Sequence, residues 1–187
     1  MSQNNKKIYA ADGFRFDSRE EMDFYFFIME GYGSGMISAW GYHPQTITLA
    51  PKVTYQETIR TKTKEKQVER HLLNGCSYTP DFTIMLGGPR SWMLKKLFYG
   101  SDLIWVDVKG TYQQHNDDVK FSLIQKWVYQ KKKIYINKII PQKLFEAAFV
   151  PKRAAYNHNG TRRTCYAACR TRNEFLQQHE NMFEEMK

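Results

Sequence analysis

The first clear pattern of hydrophobic and polar positions belongs to a helix. In the string "GFRFDSREEMDFYFFIME", Met22, Tyr25, Phe26 and Met29 recur three or four residues apart, and Phe24, Phe27 and Ile28 widen the apolar face. Ser18 stands just before the periodic run and Glu21 three residues later, the spacing of a capping box, so the helix starts there. The glycines of "GYGSG" end it, and the string opens with a short strand or turn before the helix. Residues 36–40 and 46–49 read as strands, interrupted by His43 and Pro44. Residues 53–59 alternate loosely and suit another strand. Residues 61–70 are charged and read as an exposed loop or hairpin tip. Two apolar runs, 78–86 and 103–109, have strand length. Between them "GGPRSWMLKKLFYGSD" opens on turn signals and is longer than a tight hairpin needs, which marks it as a candidate functional insertion. A helix follows from Asp117 or Asp118 to about residue 131. A strand over 134–140, a short helix over 142–149, a basic turn-rich stretch over 151–160 and a terminal helix over 170–186 complete the chain.

Helix, several strands, helix and strand in that order predict an α/β fold with a mixed central sheet flanked by helices. The boundaries divide the chain into a core over 1–150 and a basic C-terminal extension over 151–187 packed on it. At 187 residues the chain is long enough for one domain with a real core, and its 15 % aromatic content argues against disorder. No stretch approaches the ~20 apolar residues of a membrane span, and "MSQNNKKIYA" lacks the apolar centre of a signal peptide. The odd count of 3 cysteines (Cys76, Cys165 and Cys169) favours free thiols and a reducing, intracellular setting.

Charge changes the picture more than composition does. The net charge is +9, and residues 120–172 hold 13 Lys or Arg against the single acid Glu146. That segment is +12 and the remainder −3, a basic block beside an acidic region, which suits a polyphosphate ligand. The acidic region contains the candidate chemistry. Asp107 and Lys109 of "WVDVKG" are two apart, so on a strand both leave one face, while Ile104, Val106 and Val108 leave the other. Charges on an apolar strand are costly without partners, and a divalent metal is an economical one. Asp81 of "YTPDF" opens the other apolar run and supplies a second carboxylate.

These strings resemble the motif of the PD-(D/E)XK nuclease superfamily. Pro80 and Asp81 match its first half, and Asp107, Val108 and Lys109 its second, with 25 residues between. The order Ser18, Glu21, "YTPDF", D-x-K-G and the Asp117, Asp118, Lys120 region is similar to the phage T7-like endonuclease I family of junction-resolving enzymes. The likeness covers roughly residues 14–140. It implies a restriction-endonuclease-like core and Mg²⁺- or Mn²⁺-dependent hydrolysis of DNA phosphodiesters. Asp81, Asp107 and Glu21 would be the metal ligands, with Glu20 the competing helix acid, and Lys109 would act at the attacking water. It also implies branched DNA or Holliday junctions as substrate, a homodimer, and a phage-encoded protein acting in the host cytoplasm. The resemblance places a phosphate-contacting or catalytic lysine in the region of Lys120.

Lys126, Lys131, Lys132 and Lys133 extend the basic helix, and Arg162 and Arg163, with Arg170 and Arg172, read as phosphate contacts. Gln125 and Tyr129 share a helix face, a spacing that some related nucleases use. Cys165 and Cys169, with His158 and His179 nearby, suit interior thiols better than zinc. His71 and His115 lack a partner pattern and read as surface residues. Two other readings stand beside the endonuclease: a non-catalytic nucleic-acid- or partner-binding protein retaining a nuclease fold, and a transposase-associated or repair nuclease.

Overall fold

The computed structural model describes residues 9–112 and 115–185. The polar stretch before Tyr9 and the end of the chain from Met186 lie outside them. A hairpin of β1 (Tyr9–Ala11) and β2 (Phe14–Phe16) leads into α1 (Arg19–Gly33). Ser18 is the N-cap, and its side chain accepts the Glu21 N–H at 3.1 Å. Phe24, Tyr25, Phe26, Phe27 and Ile28 are all buried, so α1 is enclosed on nearly every side.

After α1 the chain forms β3 (Ile37–Tyr42), β4 (Ile47–Ala50), β5 (Val53–Arg60), β6 (Glu65–Leu73), β7 (Cys76–Tyr78) and β8 (Phe82–Leu86). A short α2 (Trp92–Lys95) precedes β9 (Leu103–Val108), α3 (His115–Lys132), β10 (Ile136–Ile139) and α4 (Pro141–Ala147). Then come α5 (Lys152–Ala155), a 3₁₀ turn (Thr164–Tyr166) and α6 (Arg172–Glu185). The central sheet has the order β10-β9-β8-β3, with β9 and β10 parallel and the other pairs antiparallel. The parallel pair is joined by α3, the long crossover such a pairing requires. This is a mixed α/β architecture with a mixed sheet, as the pattern of elements predicts. No described helix is long and apolar enough to cross a membrane.

Three elements differ from the expectation. The run 78–86 is two strands, because Pro80 has no N–H to give a ladder. Tyr78 therefore pairs with Ile47 in the small β4–β7 sheet, while Phe82 pairs with Val106 in the central one. Asp81 is left at the lip of the central sheet. The charged stretch 61–70 is mostly β6, hydrogen-bonded along its length to β5, and the tip shrinks to Thr61–Lys64. Both faces of this hairpin are exposed, so no hydrophobic alternation marks it. The segment between β8 and β9 is not a free loop. Met93, Leu94 and Phe98 are buried and belong to the main core.

Residues beyond 150 share that core. Ala154, Ala155, Tyr166, Cys169 and Phe175 lie in one buried cluster with α1 and the central sheet. Arg163, expected at phosphate, is committed elsewhere. Its guanidinium donates to the Asp23 carboxylate at 2.6 Å and to the Ala154 carbonyl at 3.1 Å. Asp23 is 1 % exposed, and burial raises its pKa against the opposing pull of Arg163. Tyr166 also donates to Asp23, at 3.0 Å. This buried pair fastens the C-terminal segment to α1.

Candidate active site

Asp81 is held at the start of β8 by its place in the sheet. Its carboxylate accepts the Val108 N–H at 2.7 Å, bridging to the end of β9. Its carbonyl accepts the His43 N–H at 2.8 Å. On β9, Asp107 is buried and accepts a hydrogen bond from the Tyr78 hydroxyl at 2.7 Å. The Lys109 ammonium pairs with the other Asp107 oxygen. Asp107 and Lys109 thus leave one face of β9, as their spacing predicts. The Lys109 backbone N–H donates to the Ile139 carbonyl at 2.8 Å, so β10 fixes its position.

Burial and the neighbouring carboxylate of Asp107 push the Asp81 pKa up to about 7, with Glu21 adding to the effect; the Val108 N–H and Lys109 oppose it. The four expected site residues therefore act on one another through charge: Asp81 senses Asp107, Glu21 and Lys109. They do not all open onto one cleft. Asp107 and Lys109 line a cleft of about 330 Å³ together with Tyr78, Asp117, Lys120 and Phe121. Lys120, exposed on the first turns of α3, faces this space, and Lys109 lies 5.9 Å from the Phe121 ring centre.

Glu21 does not line this cleft. One of its oxygens accepts the Ser18 hydroxyl at 2.9 Å, and the other accepts the Asp17 N–H at 3.1 Å and the Tyr42 hydroxyl at 3.2 Å. The carboxylate thus closes its own helix cap and also carries charge toward Asp81. Among the described residues, one trio of His, Cys, Asp or Glu ligand atoms lies within 4.8 Å of one another: Asp17, Glu21 and His43. Glu21, Asp81 and Asp107 do not close into such a trio. Glu20, the competing acid, faces the stretch after Lys109, where a Cβ on Gly110 would stand 3.7 Å from its carboxylate oxygen.

Sequence reasoning missed Tyr42 and Tyr78. Burial and the adjacent carboxylates raise both phenol pKa values, so each stays a hydrogen-bond donor to its acid. Tyr78 lies in the same "YTPDF" string as Asp81, and that proximity was the available signal. Asp17 and His43 gave none, because only the fold joins them.

The remaining candidates are scattered. Lys126, Lys131, Lys132 and Lys133 are exposed along and after the C-terminal half of α3. Gln125 donates to the Ile136 carbonyl at 2.7 Å and ties α3 to the edge of the sheet, which is a structural role. Arg162 is exposed and donates to the Cys169 carbonyl at 2.9 Å. Cys165 and Cys169 are free thiols, the first exposed and the second buried, and among the described residues no cluster gathers them with His158 or His179. His71 is exposed on β6; the side chain of His115 lies outside the described part of the structure.

Lys109 pairs with buried Asp107 and acts on half-buried Asp81, which also senses the buried acid Glu21, so three acids meet one half-exposed lysine in this region. Hard carboxylate oxygens of this kind fit Mg²⁺ or Mn²⁺. Comparison with protein-family models, curated proteins and solved structures returns no match for the chain.

Proposed function

We propose that the protein is a metal-dependent DNA endonuclease with a PD-(D/E)XK core. The observation that carries this reading is the meeting of Asp81 and Asp107 at adjacent strand ends, with Lys109 at the mouth of a cleft that Lys120 also lines. Asp81 and Asp107 would hold Mg²⁺ or Mn²⁺, with Glu21 beside them. When bound, the ion polarises the scissile phosphate and lowers the pKa of a coordinated water.

The chain's own groups do the rest. Tyr78 and the Val108 N–H orient the two carboxylates by one hydrogen bond each. Lys109 balances the charge that grows on the phosphate in the transition state and orients the attacking water. Lys120 and the exposed lysines of α3 hold flanking phosphates. Preference for branched DNA and action as a homodimer rest on the family resemblance and belong to the proposal.

A cleavage panel of linear, branched and single-stranded DNA tests it. Wild-type protein cuts with Mg²⁺ or Mn²⁺ and stops in chelator. Asp81→Ala and Asp107→Ala lose cleavage while keeping a folded circular-dichroism spectrum. Undiminished cutting in chelator, or by both alanine variants, overturns the proposal. DNA binding without cleavage by wild-type protein in any metal supports a binding protein that retains a nuclease fold.

A further inference from the structure

The β5–β6 hairpin is the feature that the site does not explain. Its strands pair with each other from Val53↔Leu73 to Arg60↔Glu65, and most of its residues are exposed on both faces. An isolated two-stranded ribbon is marginal in water, so its retention calls for a partner. At ~3.4 Å per residue, the 8 residues of β5 extend about 27 Å. The turn is ordered: the Thr61 hydroxyl and N–H both engage Lys64, at 2.6 and 2.9 Å.

Charge on the arm is not uniform. Arg60 pairs with Glu65, and Arg70 with Glu57. Among the described residues, Lys62, Lys64 and Lys66 have no acidic partner within ion-pair distance. The unpaired positive charge is therefore gathered at the end farthest from the site. One face of the ribbon, Thr54, Gln56 and Thr58 opposite His71, Glu69 and Gln67, carries hydrogen-bonding side chains, and the Glu69 carboxylate on it accepts the Thr54 hydroxyl at 2.6 Å. The base of the arm is β4–β7, and β7 ends at Tyr78, the residue that holds Asp107.

We infer that this arm is a second DNA-binding element, which lies along duplex DNA and places Lys62, Lys64 and Lys66 on phosphates roughly one helical turn from the cleaved bond. A two-stranded ribbon has the width that a major groove admits, and the Thr54–Gln67 face is the one that can meet base edges. The cationic tip favours DNA over a second copy of this chain, which is itself +9. The inference rests on the nuclease reading for the position of the cut but not for the contact itself.

Binding in chelator separates the two. Wild-type protein and the triple variant Lys62→Ala, Lys64→Ala, Lys66→Ala are titrated against duplexes of about 8 and about 30 base pairs across a salt series. The triple variant is expected to bind the long duplex about tenfold or more weaker at moderate salt. Its slope of log affinity against log salt should fall by about 2–3, at ~0.9 per phosphate contact, while the short duplex is bound as by wild type. The matching triple Lys→Arg variant should restore wild-type binding. Unchanged affinity and slope on the long duplex overturn the inference. So does an arm deletion, residues 54–72 replaced by Asn-Gly, that converts a dimer to a monomer without altering the salt slope. A wild-type protein that shows the full arm effect yet never cuts DNA sinks the nuclease reading alone.

Discussion

Asp81 combines burial with two acidic neighbours, and its raised pKa makes a prediction about stability. The group titrates near 3.8 when unfolded and near 7 when folded. A folded carboxyl that keeps its proton contributes stability that is complete below the unfolded value and is lost as pH rises through the folded one. In chelator, the melting temperature should therefore fall from about pH 4 to about pH 7 and level off above that. The slope approaches at most ~1.4 kcal/mol per pH unit. Asp81→Asn should flatten this slope, and Mg²⁺ should raise the melting temperature most at the alkaline end. An identical slope in the asparagine variant would remove Asp81 as its source.

Tyr78 gives a second test at this scale. Tyr78→Phe leaves one buried oxygen of Asp107 without its donor, a loss of ~1–3 kcal/mol. Cleavage should drop at least tenfold and the Mg²⁺ requirement should rise, with DNA affinity in chelator unchanged. Asp81, Asp107 and Lys109 were legible because two short strings carry them. Arg163 was not. One arginine in a basic run resembles the next, and only its partner Asp23, 140 positions away, reveals that it is interior.

Among the elements, the strands and helices that bury one face could be read directly. The α1 cap, β9 and the span of α3 follow from capping chemistry and apolar spacing. What escaped was β6, where solvent on both faces erases the period-two signal, and the split of residues 78–86, where Pro80 hands the chain from one sheet to another. The packing of the segment between β8 and β9 was not legible because its three buried residues, Met93, Leu94 and Phe98, lack a regular period. The end of α3 carries its own prediction. Replacing Lys131, Lys132 and Lys133 with alanine should weaken DNA binding and lower the salt slope by roughly one unit per lost phosphate contact. Lys109→Ala should do the reverse, removing cleavage while leaving most of the affinity. Unaltered binding and salt dependence in the triple variant would take this end of α3 off the DNA surface.

For the whole molecule, one chain presents one set of Asp81, Asp107 and Lys109, so paired cuts across a junction need two copies, normally related by a two-fold axis. A dimer in solution that prefers a four-way junction to linear duplex of equal length is the expected result. A strict monomer that cuts both equally would leave the endonuclease and remove the resolvase. The union of α1 with the C-terminal segment bears on stability as well. Removing one member of a buried ion pair costs ~3–5 kcal/mol, so Arg163→Ala should lower the unfolding midpoint sharply, while Asp23→Asn with Arg163→Met should recover much of the loss. That same union sets a timetable for biosynthesis. The helix bearing Asp23 leaves the ribosome early, yet the cation that neutralises it is made 140 residues later. At ~5–20 residues per second, this leaves an interval on the order of ten seconds in which the nascent chain holds an unmatched acid where its centre will form. Nascent chains arrested before Arg163 emerges should therefore stay protease-sensitive, and the residues of the proposed site, although all encoded in the first 109 positions, should acquire their arrangement only near the end of translation.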